Sequence, residues 1–522
     1  MRNGRLDWNR VVWASTILVL IALPMASDSN FLSASEWVAP SSLQQTGSQT
    51  PSEAERLNDQ ANQLFAAGKL TAAAQTYRHA LQLAPGNAQF HFNLALVLGA
   101  MGDHKSQRLE LDRALQLDPR LAAAHNQLGL LAAESGQAVE AENEFKAAIA
   151  ASPGYGEALN NLGVLYEREG RDSDAVQAFR QAAEVDPKSS SAFVNLALTL
   201  AKQAGVEEAK KQMTAWIERD PHNAGAYMAL GVVCTRTGQG AEAVAAFRKA
   251  VDLQPDSPDA HLNLGMALML QFDRKNGYLE LNRAARLNPE SAEAHLSLGH
   301  YYFEDGNYAE ARREFGIATR LSPTLEEAYY FWGLVERQSD NYPRAAELLQ
   351  KAVDLNPGNA QAQFLLGQCL EKLGRTDEAV KHWKESVRIE PEESEALYNL
   401  ARTLAKVHNP DAQVYQNRFD ELEKRKEITD RVELLRSFAL EAGKAQNWPR
   451  AIEQLQQALE LCGKCASAAL LHKNLAFFYE QTGKIREAVQ ELDKVLALTP
   501  NDEKAKQALA DLHNVLSTQP QP

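Results

Sequence analysis

Cysteine is scarce in this sequence, four in 522 residues, too few for a fold built on disulfides. Aromatic residues make up only 7%, so packing must rest on small aliphatic side chains. Basic residues fall short of acidic ones, 54 against 68, for a net charge of −14. A chain of this sign lacks the cationic footprint with which a general nucleic-acid binder displaces counterions. No apolar run reaches the roughly 20 residues of a comfortable membrane span. One short run, 11–23, follows Arg2, Arg5 and Arg10 and has the form of a secretory signal. No clean cleavage site follows, so 1–29 is expected to be a signal peptide or an uncleaved signal anchor. Either puts the rest of the chain outside the cytoplasm, periplasmic or secreted, with membrane attachment only through that anchor. Residues 30–53, rich in Ser, Gln, Thr and Pro, read as a flexible tether.

What is present is a period. Prolines stand at Pro85, Pro119, Pro153, Pro187, Pro221, Pro255, Pro289, Pro323, Pro357 and Pro391, the step from 85 to 119 recurring each time without a slip. Each repeat holds two helical stretches. In 157–187 the first carries Leu159, Leu162, Gly163 and Tyr166 at helical spacing, Gly170 and Arg171 interrupt it, and Ala175, Phe179 and Ala182 form the inner stripe of the second. Pro187 closes the repeat because it cannot donate a helical hydrogen bond. Counting from Ala54 as position 1, position 8 is Ala or Gly eleven times in succession: Ala61, Ala95, Gly129, Gly163, Ala197, Gly231, Gly265, Gly299, Gly333, Gly367 and Ala401. Only a small side chain there lets the two helices of a repeat approach closely.

This pattern resembles the tetratricopeptide repeat family, W-x2-L-G-x2-Y, then A-x3-F, then P, over about residues 54 to 516. The resemblance implies an all-α right-handed superhelix, an α-solenoid of about twelve helix-turn-helix units, whose first helices line a concave groove that binds other proteins. The long array is expected over 54–410, then a charged helical insertion at 411–431 where the proline register fails. Two further units are expected over 432–500, and a capping helix and tail over 501–522.

No H-E-x-x-H, G-x-S-x-G or P-loop pattern occurs. The chain therefore reads as non-catalytic, with no cofactor and no metal site. Position 6 holds Asn93, Asn161, Asn195, Asn263 and Asn399. A carboxamide both donates and accepts, so such a ladder can bond successive peptide groups of an extended chain. It is similar to the asparagine ladder of the O-GlcNAc transferase superhelix, whose catalytic part is absent here; the alternative is that these amides bond neighbouring side chains. The middle repeats add an apolar set on the expected groove, Met228, Met266, Met269, Phe303, Tyr330, Phe331 and Phe364. It suits a helical apolar partner or tightens the stack. With Glu293, Glu304 and Glu327 beside it, the favoured partner is basic as well as apolar. His91, His125, His261, His295 and His472 recur at position 4 and read as packing residues, since adjacent repeats lie too far apart to share an ion. Cys462 and Cys465 are a candidate disulfide stapling a turn outside the cytoplasm. Free thiols, or a redox or metal role, are the alternatives.

The expected function is a scaffold or adaptor that grips an extended or helical polypeptide segment. The alternatives are a substrate-presenting accessory subunit of a glycosyltransferase or other envelope-assembly enzyme, and a self-associating structural array.

Overall fold

The computed structural model describes residues 52–463 and 465–518. The expected signal, and all of the expected tether but Ser52 and Glu53, lie outside the described residues. Those described form 26 helices and no strands. Ser52 opens the first, Glu53–Ala66, with a reciprocal capping box to Glu55.

One repeat explains the rest. The first helix Gly156–Arg168 ends at Gly170, which holds φ +73° while Arg171 N–H donates to Tyr166 C=O at 2.8 Å. The chain needs this left-handed residue to reverse, and glycine takes it without steric cost. The second helix, Asp172–Val185, returns antiparallel and buries Ala175, Phe179 and Ala182. Asp186 then caps the turn, its side chain accepting from Lys188 N–H at 3.1 Å. Where the turn glycine is missing, Phe272, Asp340, His408 and Gln446 take the same left-handed conformation, φ +53° to +60°. The repeat geometry therefore overrides the residue's own preference.

The chain divides into two compact bodies, Met1–Pro323 and Thr324–Pro522. Eight helix pairs fill the described part of the first, through Tyr308–Leu321. The second opens with Glu326–Gln338 and ends in the helix Glu503–Thr518. Before that last helix it holds five pairs from nine helices, because one helix serves twice.

That helix, Asp411–Lys444, is 34 residues long and replaces the separate insertion expected at 411–431. Its first half is the second helix of the repeat begun by Ser394–Lys406; Arg418 reaches the Pro391 carbonyl at 3.2 Å and Lys426 bonds Ser394 Oγ at 2.8 Å. Its second half is the first helix of the next repeat, burying Val432, Leu435, Ala439 and Ala442 against Trp448–Cys462. Arg425 stands where the register would place the proline after Pro391. Without a proline there, nothing ends the helix. The departure from register is an in-line extension, and the described repeats number thirteen.

Candidate functional site: the row of first helices

The asparagine ladder is turned inward. Asn93 Nδ2 donates to Asn58 Oδ1 at 3.0 Å, Asn161 Nδ2 to Asn126 Oδ1 at 3.0 Å, and Asn195 Nδ2 to Asn160 Oδ1 at 3.1 Å. In each case the position-6 amide reaches the position-5 amide of the repeat before, 35 residues back. Asn126 in turn donates to Glu157 Oε1 at 2.9 Å. Asn263 Nδ2 instead bonds Asp259 C=O of its own helix at 2.9 Å. Asn93, Asn161, Asn195 and Asn263 are all buried, and Asn195 Oδ1 is sealed from solvent without a donor. Their own donors join one first helix to the next or brace a single helix. Asn399 is half-buried in the second body.

Most of the apolar set is likewise internal. Met228, Met266 and Met269 belong to one core cluster of the first body. Tyr330, Phe331 and Phe364 are 7%, 4% and 2% exposed. These six fill the space between helices and present no open apolar face, which corrects the expectation of an aromatic and methionine-lined groove. Phe303 alone of the set is half-buried, its ring 6.0 Å from that of Tyr308. Of the acids beside it, Glu304 is held by Arg274 at 2.5 Å. Burial pushes its carboxyl above the usual range and Arg274 opposes the shift. Glu293 accepts from Ser291 Oγ at 3.2 Å, and Glu327 is half-buried.

The position-4 histidines are clamps within a repeat. Nδ1 of His91, His125, His261, His295 and His472 lies 2.5–2.7 Å from Glu110, Glu144, Glu280, Glu314 and Glu491, always 19 residues on. In the first four, Nε2 faces the carbonyl of the preceding repeat's closing proline at 2.9–3.2 Å. Gln363 and His382 make the same link with the partners exchanged, 2.7 Å apart. The histidine recurrence was visible in the sequence. The matching glutamate, one helix further on, was the overlooked half of the signal.

Cys462 and Cys465 are joined as a disulfide. It closes the turn after Trp448–Cys462, a junction without the usual proline, and Gly463 there takes φ +58°. Cys234 and Cys369 are buried thiols whose pKa values burial pushes up to about 11, so neither is a ready nucleophile.

At positions 9 and 12 of the first body, Leu96, Leu198, Val232, Met266 and Met269 are buried. In the second body Leu334, Arg337, Gln368 and Glu371, at positions 9 and 12, are half-buried and Gln338, Lys372, Arg402 and Lys406, at positions 9 and 13, are exposed. They meet across repeats. Arg337 Nη1 donates to Gln368 Oε1 at 3.2 Å, and Arg402 Nη2 to Glu371 Oε1 at 2.7 Å. Among the described residues no group of three or more His, Cys, Asp or Glu side chains is placed to hold a metal ion.

Helix pairs with a closing proline, a small position 8 and neighbour-only packing define an all-α superhelical repeat protein. The chain belongs to the tetratricopeptide repeat family. Tetratricopeptide repeat profiles match residues 61–102, 88–121, 126–190, 332–391 and 437–503, and the Cytochrome c-type biogenesis protein H TPR domain matches 213–329. No curated protein matches the chain. Among solved structures, the APC/C hetero-tetramer Cut9-Hcn1 is 17% identical, with 88% of this chain and 96% of that chain covered and a TM-score of 0.33. MamA is 27% identical over 33% of this chain and 94% of its own, with a TM-score of 0.29.

Proposed function

We propose that the chain is a non-catalytic scaffold that holds an extended or helical segment of another protein against its first helices, outside the cytoplasm. Tetratricopeptide domains are in general protein-interaction scaffolds. The observation that carries the reading is the row itself: first helices bonded side by side, which in the second body keep Lys372, Arg402 and Lys406 exposed. The match of 213–329 to a cytochrome c-type biogenesis domain supports a role in assembling other proteins. The basic and apolar N-terminal stretch and the Cys462–Cys465 disulfide both favour an oxidising, extracytoplasmic setting.

A photo-crosslinking side chain tests this at Leu334 or Gln368 on first helices, and at Lys351 or Lys381 on second helices. In cells, the first two sites are expected to give discrete crosslinked partners and the last two none. Equal yields from both faces would overturn it.

A further inference from the structure

In the second body four cations stand at positions 9, 12 and 13 of three successive first helices, on a chain whose net charge is −14. Position 12 of the repeat opened by Glu326–Gln338 is Arg337. The next repeat supplies Gln368, Glu371 and Lys372, and the one after it Arg402 and Lys406. The bonds already described, Arg337 to Gln368 and Arg402 to Glu371, fix these side chains next to one another. Four cations thus face one carboxylate. Lys372, Arg402 and Lys406 are exposed, and Tyr398, whose ring lies 5.9 Å from the Arg402 guanidinium, is 48% exposed.

Arg337 is under-bonded. Its Nη1 meets only the neutral Gln368, and its Nε is buried with no acceptor. Nearby acids are engaged elsewhere: Glu336 accepts from Trp332 Nε1 at 3.0 Å and Asn341 Nδ2 at 2.9 Å, and Asp340 accepts from Tyr342 Oη at 2.7 Å. Glu371 is taken by Arg402. A half-buried guanidinium whose charge meets no carboxylate leaves Nη2 and the second N–H of Nη1 as donors for an external oxyanion.

We propose that this strip of the second body, from Arg337 to Lys406, is the docking site for an acidic polypeptide segment. Carboxylates of the segment pair with Arg337, Lys372 and Lys406, and an apolar side chain lies on the exposed ring of Tyr398. The inference rests on the protein-binding reading above and names the partner's chemistry. A nucleic-acid partner is disfavoured because four cations on a chain of net charge −14 make too small a basic footprint to release many counterions.

The test uses the whole chain and short fluorescein-labelled peptides alternating Leu with Glu, Ser or Lys, with single-stranded DNA as a fourth probe. Fluorescence anisotropy at low salt is expected to show binding of the Glu peptide alone. Lys372→Glu with Lys406→Glu is expected to weaken it about tenfold or more, from the loss and reversal of two exposed charges. Both lysines are exposed and outside the packing, so circular dichroism should be unchanged. Arg337→Gln, read separately, should weaken binding without the charge reversal. Binding of the Ser or Lys peptide with none of the Glu peptide would overturn the acidic-partner proposal while leaving protein binding intact. DNA binding as tight as the Glu peptide would overturn it as well. No binding by any peptide would overturn it too, and the crosslinking experiment then decides separately whether the scaffold reading survives.

Discussion

At position 8 a single missing methyl group decides how deeply a ring can sit. A Cβ built on Gly299 would stand 2.5 Å from Phe315 Cε1, and one on Gly163 the same distance from Phe179. Both rings come from the second helix of the same repeat, and both are fully buried. In the repeats of Ala61, Ala95 and Ala197 the same place is taken by Tyr77, Leu111 and Met213. Gly299→Ala is expected to cost about 1–3 kcal/mol through overpacking, measured by urea unfolding, and Phe315→Leu in the same chain should recover most of it. The demand for a small residue was legible because it repeats. What it makes room for was not, because the ring lies on the other helix and its distance along the chain belongs to no single-helix pattern. The position-6 asparagines misled for a related reason: a carboxamide suits a ligand and a neighbouring amide equally, and only the bonds to Asn58, Asn126 and Asn160 of the repeat before decide between them.

At the level of elements, proline is the punctuation that separates most of the thirteen repeats, and its omission at Arg425 has a visible effect. Between Pro391 and the next repeat the helix runs on from Asp411 to Lys444. Restoring the missing mark should therefore be harmful. Arg425→Pro is expected to remove a mid-helix hydrogen bond and clash with the preceding turn, a loss of about 3 kcal/mol or more. Circular dichroism should show reduced helix content, and hydrogen exchange should rise around 421–428 while the first body is unchanged. An unaltered exchange pattern would mean that the two halves are already independent. The sequence marked where the register broke and that a charged helix lay there. The break read as an insertion because a helix shared by two repeats has the same local periodicity as two helices; only its partners on either side show the double use.

Across the whole molecule, stability is the sum of repeats and their interfaces, so a titrating group acts on its own body. Glu326 opens the first helix of the second body. Burial, reinforced by neighbouring Glu327, raises its pKa to about 7, against hydrogen bonds from Asn359 and Asn356. A carboxyl raised in the folded state favours folding while protonated. Its contribution is complete below the ordinary value near 4.5 and is lost as pH climbs through about 7. Glu326→Gln, which keeps an acceptor for Asn359, is expected to leave melting unchanged at pH 5 and to raise it at pH 8, only in the transition of the second body. Calorimetry at the two pH values checks the sign. The all-α repeat fold was legible almost completely, since it rests on a period repeated ten times; the open surface was not, because residues that look available on a helical wheel are covered by the neighbouring repeat. The histidine clamps also act in time. Proline, histidine and glutamate of a clamp stand six and then 19 residues apart, so all three have left the ribosome before the next repeat is finished. Each clamped repeat can close behind the growing chain, and contacts this local make for fast, sequential folding from the N-terminus. The shared helix breaks that rhythm: its repeat cannot be completed until the following one has begun to emerge.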